Sequence, residues 1–243
     1  MKIGIMQPYF FPYIGYFQLI SSVDKFLLYD NINFIKNGWI SRNRILEINR
    51  EPVYFYVPLK GKSSFKKINE IKINEDLAWR EKILKFIYFN YRRSSYFNEV
   101  YNFLEYCFSF FEDNIGDYNK FLIKYLIEYL DIDTELIFDN SKYYNFEYEI
   151  SNLIEDKNKK MERIIYICNL EKADTYINPI GGVNVYNKNY FKKQGIDLFF
   201  IKTHEYYYKQ NSYKFFKNLS IIDVLMNCGK VETKNLIHKY DLV

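Results

Sequence analysis

The sequence predicts a single α/β domain with a mainly parallel, Rossmann-like sheet and a helical insertion in the middle of the chain. Short apolar runs of strand length alternate with helical segments toward both ends of the chain, which is typical of parallel strands joined by helices. Between them, residues of about 80–132 show helical periodicity alone. The length of 243 residues suits one large domain, so residues 1–243 are assigned to one unit.

The first thirty residues outline a strand–loop–helix–strand unit. Lys2–Met6 is predicted as a buried strand, and residues 7–16 follow as a loop in which two prolines forbid helix. A helix is predicted from residue 15 to about residue 22. The next apolar run, 25–29, ends at Asp30. A unit of this kind with a carboxylate after its second strand is the outline of a Rossmann-like βαβ motif.

The rest of the chain continues the alternation. Further strands are predicted at 52–59, 66–73, 135–138, 174–178 and 196–202. Helices are predicted at about 80–93, 97–112, 118–130, 158–171, 184–194 and 219–228. Residues 139–158 are predicted as a polar connection. Gly195 and Gly229 are predicted to end the helices that precede them.

The charge of the chain argues against a nucleic-acid partner. The net charge is +4 and the isoelectric point about 8.6, with the basic residues scattered. Nucleic-acid binders usually carry a basic face and an isoelectric point above about 9. Modest basicity fits a small phosphorylated ligand equally well. Aromatic residues reach 21%, but an AT-rich genome enriches Phe and Tyr, so this content alone indicates no function.

The cysteines and the N-terminal sequence predict a cytoplasmic protein without a metal site. Cys107, Cys168 and Cys228 are odd in number, far apart and without a C-x-x-C pair, which argues against a disulfide framework or a zinc site. The sequence starts directly with a strand pattern and shows no signal peptide. No apolar run reaches the roughly 18 residues that a membrane helix needs, so no membrane insertion is expected.

Two segments in the first fifty residues carry candidate ligand contacts. The loop at 7–16 follows a strand, at the edge where open α/β sheets bind ligands, and Gln7 offers both a donor and an acceptor there. The segment 29–44 contains Asp30, Lys36, Trp39, Arg42, Asn43 and Arg44. Cationic side chains bind phosphate, and a Trp face stacks on a base or sugar. The alternatives are an aromatic loop that plugs the sheet edge and a solvated basic loop.

Two further segments follow later strands. Residues 178–182 (NPIGG) join a strand to a helix, where glycines let the backbone approach an anion; without a G-x-G-x-x-G pattern, a plain turn is an equal alternative. His204 directly follows the strongest predicted strand and is a candidate general base, or else a side chain bonded to backbone. Asp223 lies on an apolar helix stripe, and the spacing Ser220-x-x-Asp223 also fits a capping box.

Five stretches together resemble the WbqC-like family. They are I-x-Q-P-Y-F-F-P-Y-I-G-Y-F-Q-L-I at 5–20, D-K-F-x-x-Y-D at 24–30, K-N-G-W-I-S-R-N-R-I at 36–45, Y-I-N-P-I-G-G at 176–182 and L-S-I-I-D-V-L-M-N-C-G at 219–229. They cover most of the chain, and the first is long and specific. At 204–210 the sequence has H-E-Y-Y-Y-K-Q where the family has H-P-x-Y-x-Q, which leaves the register of Tyr207, Tyr208 and Gln210 open.

The resemblance implies a site and a reaction. The resemblance implies catalytic roles for His204 and Asp223. The residues that it implies contact the substrate are Gln7, Tyr9, Tyr16, Asp30, Lys36, Trp39, Arg42, Asn43, Gly181, Gly182 and Gln210. In this reading His204 takes a proton from the substrate amine, and Asp223 or Asp30 orients the imidazole or binds the amine. Lys36 and Arg42 hold a diphosphate, and Trp39 contacts a base or sugar.

The implied function is an N-acyl or aminoacyl transfer to a nucleotide-linked amino sugar in bacterial O-antigen or capsule polysaccharide biosynthesis. No bound cofactor is implied, and the co-substrate is an acyl thioester on CoA or on an acyl carrier protein. One alternative is a non-catalytic nucleotide-sugar-binding or scaffold subunit of a polysaccharide assembly complex. Another is a nucleotidyl- or glycosyltransferase.

Overall fold

The computed structural model describes residues 1–47, 51–153 and 156–243 and has a mixed α/β fold. Its strands in chain order are β1 (Lys2–Met6), β2 (Lys25–Leu28), β3 (Arg42–Leu46), β4 (Pro52–Tyr56), β5 (Leu59–Lys60), β6 (Lys72–Ile73), β7 (Glu135–Ile137), β8 (Thr175–Pro179), β9 (Asp197–Thr203) and β10 (Tyr240–Leu242). Its α-helices are α1 (Ile14–Ser21), α2 (Trp79–Tyr91), α3 (Phe97–Ser109), α4 (Ile115–Tyr129), α5 (Tyr144–Leu153), α6 (Asp156–Glu171), α7 (Lys188–Lys193) and α8 (Ile221–Ile237).

The central sheet has six strands in the order β10-β9-β8-β1-β2-β7. Neighbouring strands are parallel except β10, which runs antiparallel to β9. The predicted mainly parallel sheet is therefore confirmed. β2 and β7 lie on one side of β1, and β8 and β9 lie on the other. The strand order thus reverses between β1 and β8, and open α/β sheets bind ligands beyond the carboxyl ends of the strands at such a reversal.

The sheet is covered on both faces, which explains why its strands are apolar on both sides. On one face, Phe26 and Leu28 of β2 belong to a core with helices α1, α2, α3, α4 and α8. On the other face, Ile3 and Ile5 of β1 pack with α6 and α7. The three helices between β2 and β7 lie within a few residues of their predicted bounds and share the first core with α1 and α8. Within the described ranges, no helix combines the length and apolarity that crossing a membrane requires.

The strand predicted at 66–73 is mostly a turn. Residues 68–70 form a 3-10 helix, and only residues 72–73 pair as a strand. Ile68 and Ile71 are both fully buried. These two apolar residues are three positions apart, a spacing that suits a helical turn better than the two-residue period of a strand, so the strand prediction was wrong here.

The polar connection predicted at 139–158 contains the helix α5, and residues 154–155 of that stretch lie outside the described residues. The ring of Phe146 in α5 stacks on that of Tyr166 in α6, with centroids 3.7 Å apart. A partner twenty residues away stabilises this helix, and no local pattern reveals such a partner. The helix predicted at 184–194 is also shorter, because Asn184 ends a 3-10 helix at Ile180–Asn184 and α7 begins only after its cap residue, Asn187.

Helix α8 does not end at Gly229 as predicted, because the chain kinks there and the helix resumes. Gly229 has φ +68° and ψ −178°, a conformation that is essentially restricted to glycine. A Cβ added at this position would lie 2.5 Å from the ring of Tyr96. The glycine therefore marks a kink against which the start of α3 packs.

Gly229→Ala is expected to lower the free energy of unfolding by about 2–4 kcal/mol, since the backbone strain and the contact with Tyr96 add. Urea denaturation measures this loss. Gly181→Ala is the matched control, because a Cβ added at Gly181 meets nothing within 4 Å. Equal stability of the two variants would contradict this account of the kink.

Candidate functional site

A cavity of about 580 Å³ opens at the carboxyl edge of the sheet. Its wall is formed by the start of α1, the segment entering β3, the ends of β8 and β9, and the loop after β9. The lining residues are Tyr13, Gly15, Trp39, Asn43, Arg44, Pro179, Ile180, Ile201, Lys202, Thr203, His204, Glu205, Tyr206, Lys217 and Asn218. A volume of this size is typical of small-molecule sites, and the cavity lies close to the reversal of strand order.

Only part of the aromatic loop at 7–16 faces this cavity. Tyr13 and Gly15 line it, whereas Phe10 and Phe11 are fully buried. The ring of Phe10 packs against Phe55 of β4 at a centroid distance of 5.2 Å. Most of the loop therefore closes the hydrophobic core over the sheet edge, which is the alternative that its sequence left open.

The loop residues predicted to contact substrate pack against one another instead. The hydroxyl of Tyr16 donates to the backbone oxygen of Gln7 at 2.9 Å. The rings of Tyr9 and Tyr16 are 5.5 Å apart, and burial raises the pKa of Tyr9 to about 12. Among the described residues, the cavity wall includes none of these three side chains.

Asn43 holds the aromatic loop in place. Phe11 has φ +42°, which is uncommon for a bulky residue. The Asn43 Nδ2 group donates to the carbonyl oxygens of Phe10 at 3.0 Å and Phe11 at 2.6 Å, and the Ser220 hydroxyl donates to the Phe11 oxygen at 2.8 Å. Asn43 borders the cavity, but its amide hydrogens are engaged by the protein backbone.

Strand β3 was not predicted. It forms a hairpin with β4 that brings one predicted substrate contact, Trp39, to the cavity and keeps another, Arg42, away from it. Residues 42–46 pair antiparallel with residues 52–56. The hairpin brings Trp39 and Arg44 to the cavity. Arg42 instead lies over the ring of Tyr54, with its guanidinium carbon 4.4 Å from the centroid. Lys36 is exposed and lies outside the cavity lining.

His204 lies at the rim of the cavity, where two elements fix its backbone. Its N–H donates to the Lys239 oxygen at 3.0 Å. The hydroxyl of the preceding Thr203 donates to Oε1 of the buried Gln18 at 2.6 Å. The imidazole Nε2 is 2.9 Å from the Asp241 carboxylate of β10, with the two side chains 45% and 62% exposed. The carboxylate beside this imidazole is therefore Asp241, whereas Asp223 and Asp30 were predicted.

Asp223 lies in a buried network that does not include His204. Its carboxylate accepts hydrogen bonds from the Tyr91 hydroxyl at 2.6 Å, the Tyr208 hydroxyl at 2.6 Å and the Gln210 amide at 3.1 Å. Burial raises the pKa of Asp223, and these three hydrogen bonds oppose the rise. Burial also raises the pKa of Tyr91 and Tyr208 well above the usual range.

This network fixes the loop that walls the cavity. Tyr208 and Gln210 belong to the loop after β9, whereas Tyr91 ends α2 and accepts a hydrogen bond from the Leu46 N–H of β3 at 2.9 Å. The sequence left open which tyrosine after His204 matches the tyrosine of the family pattern. Tyr208 donates to Asp223, whereas Tyr207 is 66% exposed, so Tyr208 is the one that fits. Asp223 thus positions the cavity wall, and its carboxylate does not cap α8.

Asp30 and the glycine turn lie outside the cavity lining. Asp30 forms a buried ion pair with Lys120 at 2.5 Å, and burial raises the pKa of this carboxyl while the hydrogen bond from Lys120 opposes the rise. It follows β2, on the opposite side of β1 from β8 and β9.

Gly182 leaves room for Asn178, whose Nδ2 would lie 1.8 Å from an added Cβ. Pro179 and Ile180, just before the two glycines, line the cavity.

The cavity carries an excess of positive charge. Lys217 pairs with Glu205 at 3.2 Å, whereas Lys202 and Arg44 make no ion pair in the part of the chain that the structure describes. The Tyr13 side chain does not cap α1. A helix start without a side-chain cap favours an anion, because its backbone N–H groups carry partial positive charge. His, Cys, Asp and Glu side chains of the described residues form no group of three or more suited to a metal ion.

Several lining residues were not singled out from the sequence. Lys202 ends the strongest predicted strand and Thr203 follows it, so their position at the end of an apolar run was an available signal. Tyr206, Lys217 and Asn218 reach the cavity through the fold of a loop, and Asp241 reaches His204 through pairing of β10 with β9. Such long-range contacts leave no local pattern.

Comparison with known proteins gives two matches. The model of the WbqC-like protein family matches residues 7–235. Rv1507c of Mycobacterium tuberculosis, described as an uncharacterized protein, is 29% identical over 231 residues, which cover 94% of each chain. No solved structure matches the chain.

Proposed function

The chain belongs to the WbqC-like protein family, and from that premise we propose that it is an N-acyltransferase of bacterial O-antigen or capsule polysaccharide biosynthesis. It transfers an acyl or aminoacyl group from a thioester, on CoA or on a carrier protein, to the amino group of a nucleotide-linked sugar. The observation that carries the proposal is the cavity in which His204 lies among cationic and aromatic side chains. This combination suits a ligand with a sugar ring, an amine and phosphates.

The strand order supports a nucleotide ligand. Without β10, the parallel strands lie in the order β9-β8-β1-β2-β7, and this order supports the proposal of a doubly wound, Rossmann-like arrangement. Sheets of that arrangement bind nucleotides beyond their carboxyl ends, at the reversal of strand order. The cavity lies at that edge, so the sugar phosphate would be held by Lys202 and the start of α1.

His204 is the proposed general base. The neutral amine of the sugar attacks the thioester carbonyl, and His204 takes the proton that the nitrogen loses as the C–N bond forms. The imidazolium returns this proton to the sulfur as the C–S bond breaks. Asp241 beside Nε2 orients the ring and stabilises the imidazolium. Nδ1 has no hydrogen-bond partner among the described residues and is the nitrogen proposed to face the amine.

One observation favours the second candidate function, a binding subunit without catalysis. The imidazole of His204 is 45% exposed, and water that reaches a transfer site competes with the acceptor amine. A binding subunit would hold the same nucleotide-linked sugar but yield no product with any thioester. Mass spectrometry of the sugar after incubation with acyl-CoA and acyl carrier protein thioesters distinguishes the two candidates.

Lys202→Ala is expected to weaken binding of a nucleotide-linked amino sugar by about 5- to 20-fold, the loss that follows when one charge-assisted hydrogen bond is removed. Isothermal titration calorimetry measures the change. Lys209→Ala is the control, because Lys209 is exposed in the following loop and outside the cavity lining. If both variants bind as the unmodified protein does, the ligand does not use this cavity.

A further inference from the structure

The outer face of the β3–β4 hairpin carries two exposed tyrosine side chains and two half-buried arginine side chains. Side chains of a strand alternate between its two faces. Asn43 and Phe55 point into the protein and are buried, whereas Arg42 and Arg44 alternate with the buried positions of β3. On β4, Tyr54 and Tyr56 are 41% and 51% exposed. These four side chains therefore share the outer face.

The rings on this face form a row. The centroids of Tyr56 and Tyr54 are 5.9 Å apart, and those of Tyr54 and Trp39 are 6.4 Å apart with their planes inclined by 30°. Arg42 lies 4.4 Å from the centroid of Tyr54, and Arg44 lies 5.8 Å from that of Trp39. Aromatic faces flanked by guanidinium groups bind planar rings and phosphates.

Among the described residues, no acidic side chain neutralises the charge of this face. Neither Arg42 nor Arg44 forms an ion pair within the described part of the chain, and the Nε atom of each is buried without a hydrogen-bond partner. The guanidinium of Arg42 donates to the backbone oxygen of Asn37. Two arginines without acidic partners beside exposed rings are complementary to an anion that carries an aromatic group.

The face is continuous with the cavity. Trp39 and Arg44 belong both to the row and to the cavity lining, so a ligand that is longer than the cavity passes directly onto the hairpin. A nucleotide-linked sugar is such a ligand, because a diphosphate separates its sugar from its base.

From these contacts we infer that the outer face of the β3–β4 hairpin is the nucleobase subsite of the protein. The base stacks on Tyr54 and Tyr56 next to Trp39, Arg44 holds the diphosphate at the junction, and the sugar lies in the cavity. The inference rests on the proposed function for its ligand class. It assigns Tyr54 and Tyr56 a role in recognising a nucleoside diphosphate.

Trp39 provides a direct reporter of this subsite. The chain has two tryptophans, and Trp79 is 4% exposed, so the variant Trp79→Phe leaves Trp39 as the single tryptophan. Titration of this variant with ADP, GDP, CDP, UDP and dTDP should quench its fluorescence with at least one of them. Inorganic pyrophosphate should bind without comparable quenching. No quenching and no calorimetric binding with any of the five nucleotides would overturn the inference.

Removal of the tyrosine rings tests the subsite itself. Tyr54→Ala and Tyr56→Ala should each weaken binding of the preferred nucleoside diphosphate by about tenfold, the loss typical of one base–aromatic stack, with pyrophosphate affinity unchanged. Tyr106→Ala is the matched control, since Tyr106 is 50% exposed on α3. Unchanged nucleotide affinity in the Tyr54→Ala/Tyr56→Ala double variant would overturn the inference.

Three further outcomes distinguish the nucleobase subsite from a nucleic-acid site and from the proposed acyl transfer. Binding of an octanucleotide much more tightly than its mononucleotide would assign the face to nucleic acid and overturn the nucleobase subsite. Nucleoside diphosphate affinity that depends on Tyr54 and Tyr56, without acyl transfer, would support the subsite and remove the proposed function. Acyl transfer with a KM that neither tyrosine affects would support the proposed function and overturn the subsite.

Discussion

His204→Ala is expected to lower kcat for acyl transfer by about 100- to 10,000-fold, the contribution typical of a positioned general base. The KM for the nucleotide-linked sugar should change much less, because the phosphate and ring contacts come from other residues. The fold should persist, since the imidazole is 45% exposed and its backbone is held by Lys239. Product formation followed by mass spectrometry gives both constants.

His238→Ala is the control for the loss of a histidine, because His238 follows α8 and is outside the cavity lining. Asp241→Asn should reduce kcat less than His204→Ala does, since Asp241 acts through the ring and does not touch substrate. An unchanged kcat in His204→Ala would exclude the imidazole from the chemistry while leaving the cavity as a binding site.

Asp223→Ala is expected to lower the free energy of unfolding by about 3–5 kcal/mol, because two buried tyrosine hydroxyls and one amide lose their acceptor. Activity should fall as well, since the loop carrying Tyr208 and Gln210 walls the cavity. Urea denaturation measures the loss. Asp76→Ala is the control, because the Asp76 carboxylate is 77% exposed. A loss no larger than that of the control would contradict the positioning role of Asp223.

The pH dependence of this loss has a defined sign. Burial raises the pKa of Asp223 in the folded protein. A carboxyl with a raised folded pKa contributes stability that is fully present below its unfolded pKa and is lost as the pH rises through the folded value. The destabilisation by Asp223→Ala should therefore be larger in acid than at neutral pH. The reverse order would show that hydrogen bonds outweigh burial at this carboxyl.

The sequence predicted the parts of the fold that depend on local patterns. The apolar run of β1 and the periodic apolar residues of α3 and α4 predicted these elements closely. In each of them, the sequence of the element itself determines which side chains are buried. The strand ending before His204 was predicted for the same reason. Elements stabilised by distant partners were missed or wrong, among them β3, which needs β4, and α5, which packs on α6.

The candidate site shows the same division between local and long-range information. Trp39 was predicted from a segment dense in cationic and polar residues and His204 from its place after a strand, and both line the cavity. Tyr16 and Asp223 also lie in motifs of mixed polarity, but the structure buries both, and their polar groups bond within the protein. Spacing alone does not distinguish a polar residue that faces a ligand from one that satisfies a buried network. Asp241 gave no local signal, because pairing of the C-terminal strand brings it to His204.

Acyl transfer in the cavity would be detected from the product that the protein forms from a nucleotide-linked amino sugar. The unmodified protein, Lys202→Glu and the Lys209→Ala control would each be incubated with an acyl thioester and either the amino sugar nucleotide or its hydroxyl analogue. The expected result is an amide that retains the nucleotide, formed by the unmodified protein and the control. It should be absent with the hydroxyl analogue and strongly reduced in Lys202→Glu. Binding of the amino sugar nucleotide without any amide product, or equal product in Lys202→Glu, would contradict the claim that acyl transfer occurs in this cavity.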